Sequence, residues 1–102
     1  MKLERGVFQT IVNNAPLISI DLIVKNKEGK VLLGQRLNRP AQGFWFVPGG
    51  RIFKNEALDV AFNRIGREEL GLKIDRCLAK FIGIYEHFYD DNFSGLDFTT
   101  HY

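Results

Sequence analysis

The sequence has little cysteine, no long apolar run and almost no excess charge. Its one cysteine, Cys77, excludes an internal disulfide and a cysteine-based zinc cluster, which favours a reducing compartment, the cytoplasm. No apolar run approaches the roughly 20 residues of a membrane span, and the N-terminus lacks the apolar core of a secretory signal. The net charge of +2 is too small to predict a nucleic-acid-binding surface. We therefore expect a soluble cytoplasmic protein that binds neither nucleic acid nor membrane.

The chain is long enough for one domain, residues 1–102, and 45% hydrophobic residues can supply its core. Periodic apolar residues predict a short N-terminal helix that ends near residues 13–16, and a second helix over about residues 56–70, closed by Gly71. Extended runs are predicted at residues 17–24, 31–33, 44–47, 77–89 and 96–102, with a turn over residues 25–30 and a break at residues 48–50. Cys77 is expected in or beside a strand. The fold class is therefore α/β (α+β), with a mixed β-sheet, and the last run reads as an unfinished strand, so we expect C-terminal elements to be missing.

The second predicted helix carries one carboxylate in an unusual place. Its apolar residues fall in a sector about 100° wide, the width of a core-facing stripe: Leu58, Ala61, Phe62 and Ile65. Glu69 falls in the same sector, where a carboxylate is costly unless it is paired, protonated or bound to a metal. The alternative is that Glu69 reaches solvent from the last turn or pairs with an arginine. Arg64 and Glu68 are spaced for an exposed pair on this helix.

The residues before and along this helix resemble the Nudix box of the nucleoside-diphosphate-X hydrolases. The matching positions are Gly50, Glu56, Arg64, Glu68, Glu69, Gly71 and Leu72. Two adjacent positions depart from the pattern, because Ile65 replaces a metal-binding Glu and Gly66 replaces an apolar residue. Gly66 inside a helix should cost about 1 kcal/mol relative to Ala, which indicates either a close approach or simple tolerance.

Longer segments, residues 38–51, 87–95 and 98–102, are similar to one Nudix branch, the GDP-mannose mannosyl hydrolases. This resemblance extends from about Phe8 to Tyr102. It implies hydrolysis of GDP-mannose, with GDP-glucose as a second candidate, by attack of water at the anomeric carbon of the sugar. It also implies a Mg²⁺ cofactor, with Mn²⁺ as a substitute, and a homodimer.

The resemblance further implies a set of site residues. The metal ligands are the Gly49 carbonyl and the Glu69 carboxylate, with a further ligand and the catalytic base beyond Tyr102. The catalytic and substrate-binding positions are Arg36, Arg51, His87, Tyr102, Asp21, Lys2, Leu3 and Phe8. Arg36 and Arg51 are assigned to phosphate, Tyr102 to the diphosphate, Asp21 to the sugar, and the N-terminal residues to the nucleotide.

Simpler interpretations of these residues remain open. The arginines are alternatively solvated surface residues, and Asp21 is an outward residue of an alternating strand. His87 could serve structure alone, and Phe8 could be a core anchor. Two alternative functions also stay open: a Nudix pyrophosphohydrolase that attacks phosphorus, and a non-catalytic nucleotide-sugar-binding module.

Overall fold

A computed structural model describes residues 2–102, which contain two α-helices and three pairs of short antiparallel strands. The α/β fold class predicted from the sequence is confirmed. The first helix, α1, spans Arg5–Asn14, with Val12 buried and Phe8 and Ile11 half-buried. It ends where the Ala15 N–H donates to the Ile11 carbonyl, one residue before Pro16. No helix of residues 2–102 combines the length and apolar character that crossing a membrane requires.

The core lies between a two-stranded sheet and the second helix. Strand β1 (Ser19–Asp21) pairs with β4 (Gly49–Arg51), and Ile20 lies opposite Gly50. The residues of the central cluster are Leu22, Ala61, Phe62 and Ile65, with Ile20, Val24, Ile52, Leu70 and Ile74 packed around them. The sequence predicted that the aromatic strand is interrupted at residues 48–50. This is wrong for Gly49 and Gly50, because both belong to the paired strand β4.

Helix α2 spans Leu58–Leu70, so the predicted start near residue 56 is two residues too early. Gly71 closes it in the left-handed region, φ 67°, where its N–H donates to the Arg67 carbonyl, as predicted. Only the middle of the apolar stripe meets the core: Leu58 is 52% exposed and Glu69 is also exposed. The expectation that Glu69 is directed into the core is wrong: its side chain is exposed, and the next residue, Leu70, packs against the core instead.

Gly66 is buried on the inner face of α2, and a Cβ there would collide with the Ile74 side chain. Of the two explanations for a glycine at this position, close approach is therefore the correct one. The chain that follows α2 folds back over the part of the helix surface where Gly66 has no side chain. Ile74 there packs against the core cluster.

A β-hairpin follows β1. Asn26 accepts hydrogen bonds from the Glu28 and Lys30 N–H groups, which confirms the predicted turn, and Lys25 bridges to Val31 beyond it. The strand predicted at residues 31–33 instead forms slightly later, as β2 (Gly34–Gln35), paired with β3 (Trp45–Phe46).

The C-terminal third has less regular structure than its aromatic, apolar composition predicts. Residues 77–89 contain strand only at β5 (Phe88–Tyr89), which pairs with β6 (Thr100–His101). Cys77 is exposed in a 3₁₀ turn, Arg76–Leu78, so its predicted place in or beside a strand is wrong. The turn between β5 and β6 is held by buried Asn92, which donates to the Leu96 and Phe98 carbonyls.

Candidate active site

A cleft lies on the face of the β1–β4 sheet opposite the core. Side chains alternate between the two faces of a strand, so the register that pairs Ser19 with Arg51 and Asp21 with Gly49 puts these four residues on one face. Ile20 and Gly50 face the other way, and a Cβ on Gly50 would lie 3.2 Å from Ile65. The same two strands therefore supply both a core face and a polar face.

The cleft collects residues from five separate parts of the chain. Six of the positions predicted for the site line it: Asp21, Arg36, Gly49, Arg51, His87 and Tyr102. Beside them lie Ser19, Pro40, Phe46, Val47, Gly50 and Tyr89. Residues separated by as much as eighty positions in the sequence thus meet at one surface, which carries two guanidinium groups, one carboxylate, one imidazole and two phenols.

Gly49 is required by the approach of Asp21. An added Cβ at Gly49 would lie 2.5 Å from the Ile20 carbonyl oxygen and 2.7 Å from Asp21 Oδ1. Any side chain at this position would therefore displace the carboxylate or the backbone of β1. The glycine allows the Asp21 carboxylate to lie directly over the β4 backbone.

Each arginine of the cleft is held by neighbouring groups. Arg36 Nε donates to the Pro40 carbonyl at 2.8 Å. The guanidinium of Arg51 lies over two aromatic rings, 4.9 Å from the centroid of Phe8 and 4.9 Å from that of Phe53. Cation–π contacts of this kind stabilise a guanidinium without using its N–H groups. Both side chains are therefore positioned while part of their donor capacity remains for an anion.

A partly buried ion pair contacts the backbone of Arg51. Glu56 Oε2 accepts from Arg64 Nε at 2.7 Å and Oε1 from Arg64 Nη2 at 2.9 Å, with the two side chains only 9% and 15% exposed. Arg64 Nη2 also donates to the Arg51 carbonyl at 2.7 Å, and Glu56 accepts from the Phe53 N–H. The hydrogen bonds from Arg64 lower the pKa of Glu56 from 4.5 to about 2. The loop between β4 and α2 is thereby tied to the helix.

The far wall of the cleft is aromatic. His87 and Tyr102 exchange two backbone hydrogen bonds, of 3.1 and 3.0 Å, which extend the β5–β6 pair by one position. The His87 and Tyr89 rings are stacked with centroids 6.2 Å apart, and Tyr89 meets Tyr102 edge-on at 6.4 Å. Burial raises the pKa of both phenols, so both carry their protons at neutral pH.

Comparison with known proteins gives the family. The model of the NUDIX domain matches residues 15–102, most of the chain. The chain belongs to the Nudix family. It is 49% identical over 96 residues to the low-salt glycan biosynthesis protein Agl8 of Haloferax volcanii, a match that covers 93% of this chain and 59% of the relative. It is also 34% identical over 56 residues to an 8-oxo-dGTP diphosphatase of Proteus vulgaris, which covers 54% of this chain and 50% of the relative.

This Nudix chain thus spans about three-fifths of one curated relative, and its match to the other covers half of that protein.

Several of the predicted site residues lie outside the cleft lining. Glu69 is exposed on α2, which packs against the opposite face of the β1–β4 sheet. Lys2 is exposed and Leu3 half-buried, ahead of α1. Phe8 reaches the site indirectly, since its ring packs on Arg51 and lies 4.8 Å from Phe93.

A metal ion in this Nudix domain would depend on few protein side chains. Within the described part of the chain, no three His, Cys, Asp or Glu side chains come together as a metal-binding group. Mg²⁺ in phosphate-transfer sites is often held by one or two protein oxygens together with water and substrate phosphate oxygens. The oxygen donors present are compatible with such a sparse site.

The prediction from the sequence missed two features of this region. It paired Arg64 only with Glu68, an exposed contact of 3.1 Å, although the main partner is Glu56, eight residues earlier and outside the helix. It also left out Tyr89. The available signal for Tyr89 was the two-residue spacing from His87, which places both side chains on the same face of a strand.

Proposed function

We propose that this Nudix domain hydrolyses GDP-mannose to GDP and free hexose. The observation that carries the proposal is the meeting of Arg36 and Arg51 with Asp21, His87 and Tyr102 in one cleft. Two arginines are suited to a diphosphate, because each guanidinium offers several fixed donors to phosphate oxygens. A carboxylate in the same cleft is suited to sugar hydroxyls.

The buried side chain behind the glycine pair supports attack at carbon. Ile65 is fully buried and packs against Gly50, at the position where ordinary Nudix enzymes have a metal-binding carboxylate. With an apolar residue there, the site has less capacity to hold extra metal for the activation of water at phosphorus. Stabilisation of a departing diphosphate still requires only positive charge and hydrogen-bond donors.

In the proposed reaction, the oxygen of a water molecule bonds to the anomeric carbon while the bond from that carbon to the phosphate oxygen breaks. The electron pair of the broken bond stays with GDP. Arg36, Arg51 and the phenol of Tyr102 stabilise the charge that develops on the leaving diphosphate. The proton released by the water passes to a general base, which the resemblance assigns to a residue after Tyr102.

Mg²⁺ would supply further positive charge to the diphosphate when bound. We assign its protein ligands to the Gly49 carbonyl and the Glu69 carboxylate. Glu69 is exposed on α2 and outside the cleft lining, so this assignment rests on the Nudix box. A homodimer is proposed on the same resemblance.

The names of the two relatives bear on the choice between the two candidate reactions. The name of the glycan biosynthesis protein is consistent with a substrate that contains a sugar. The 8-oxo-dGTP diphosphatase favours the second candidate, a pyrophosphohydrolase that attacks phosphorus. The two candidates differ in which bond breaks, so one isotope experiment separates them.

The experiment is hydrolysis of GDP-mannose by the complete protein in ¹⁸O-labelled water, with mass analysis of both products. Attack at carbon places the label in the hexose and none in GDP. Label in a phosphate-containing product would refute the proposal in favour of the pyrophosphohydrolase. Binding of GDP-mannose without hydrolysis would instead make the protein a nucleotide-sugar-binding module.

A further inference from the structure

Tyr89 has the same placement in the cleft as the residues assigned to the substrate. It is two positions after His87 on one strand, and its partner Thr100 is two positions before Tyr102 on the other. His87, Tyr89 and Tyr102 therefore project from one face of this strand pair. The side chains between them, Phe88 and His101, stack on each other on the opposite face, with centroids 4.2 Å apart.

The surroundings of Tyr89 are polar on the cleft side. The charges of Arg36 and Asp21 both act on its phenol, and the same two charges act on the phenol of Tyr102. None of the side-chain hydrogen bonds within residues 2–102 has either hydroxyl as its donor. The two phenols thus face one charged region with their donors free, and their edge-on ring contact fixes them relative to each other.

We infer that the Tyr89 hydroxyl donates a hydrogen bond to the diphosphate, as a second phenol beside Tyr102. This inference rests on the proposed function, since it assumes that Arg36 holds a diphosphate in this cleft. A neutral phenol is a suitable partner for a phosphate oxygen because it donates without adding charge. A pair of phenols next to Arg36 would also fix the orientation of the diphosphate, which one arginine alone does not.

The test measures binding of inorganic pyrophosphate to the protein by calorimetry in the presence of Mg²⁺. Tyr89→Phe removes one oxygen atom and should weaken binding about tenfold or more, the scale of a hydrogen bond to a charged group. Tyr85→Phe is the matched control, since Tyr85 is 68% exposed, does not line the cleft and has its hydroxyl beside Gly83. The control should bind like the parent, and both variants should keep the thermal midpoint of the parent.

The outcomes separate this inference from the proposed function. Equal pyrophosphate affinity in Tyr89→Phe and the parent would overturn the inference, and so would a parent that does not bind pyrophosphate. Hydrolysis of GDP-mannose is measured separately on the parent. If pyrophosphate binding depends on Tyr89 but GDP-mannose is not hydrolysed, the proposed function fails and the role of Tyr89 stands.

Discussion

The pair of Glu56 and Arg64 allows a quantitative prediction about stability. Glu56→Gln removes the charge while keeping the size of the side chain, and leaves Arg64 nearly buried without its main partner. Lowering of the Glu56 pKa from 4.5 to about 2 corresponds to about 3 kcal/mol of stabilisation, because each tenfold change in proton affinity is worth about 1.4 kcal/mol. We therefore expect the variant to lose about 2–4 kcal/mol of unfolding free energy at pH 7, a large part of the roughly 5–15 kcal/mol of a typical domain.

The assay is urea unfolding followed by circular dichroism of the helices, repeated between pH 7 and pH 2. The folded pKa of Glu56 lies below the unfolded one, so its contribution is complete above pH 4.5 and is lost as the pH falls towards 2. The difference between parent and variant should therefore shrink over this window. Glu68→Gln is the control: Glu68 also contacts Arg64 but is 61% exposed, so its removal should cost at most about 1 kcal/mol. A loss below about 0.5 kcal/mol for Glu56→Gln, or a difference that stays constant down to pH 2, would refute the reasoning.

Two further predictions concern the site of the complete protein. Arg36→Gln and Arg51→Gln should each lower kcat/KM for GDP-mannose by an amount that corresponds to about 2–4 kcal/mol of transition-state free energy. The control, Arg67→Gln on the exposed face of α2, should react at the parental rate. Normal turnover in both cleft variants would show that these arginines lie outside the site. Glu69→Gln should weaken Mg²⁺ binding and turnover strongly, whereas the control Glu68→Gln should bind the ion like the parent. Mg²⁺ affinity is measured by titration with the metal. Unchanged affinity in Glu69→Gln would show that Glu69 is not a ligand.

The residues of the cleft were predicted from the sequence because the resemblance fixes positions one by one. Asp21, Arg36, Gly49, Arg51, His87 and Tyr102 line one cleft. No local pattern contains this information, since the six residues come from five separate segments. Their roles in binding and catalysis stay predictions until the experiments above are done.

Local physical chemistry determined other parts of the fold in advance. The end of α1, the turn around Asn26 and the left-handed Gly71 follow from interactions within a few residues of sequence. Such features depend on spacing, side-chain capping and backbone freedom, which the sequence states directly.

Tertiary structure alone decided which way Glu69 faces and what Arg64 binds. Helical periodicity gives the angle between side chains, but which of them are buried depends on the elements that pack against the helix, and Leu70 rather than Glu69 meets the core. Glu56 reaches Arg64 because the loop after β4 folds back along α2, a contact that no spacing rule within one helix can predict. Ile65 shows both levels at once: the sequence identifies it as apolar, and the packing of Gly50 against it makes it fully buried.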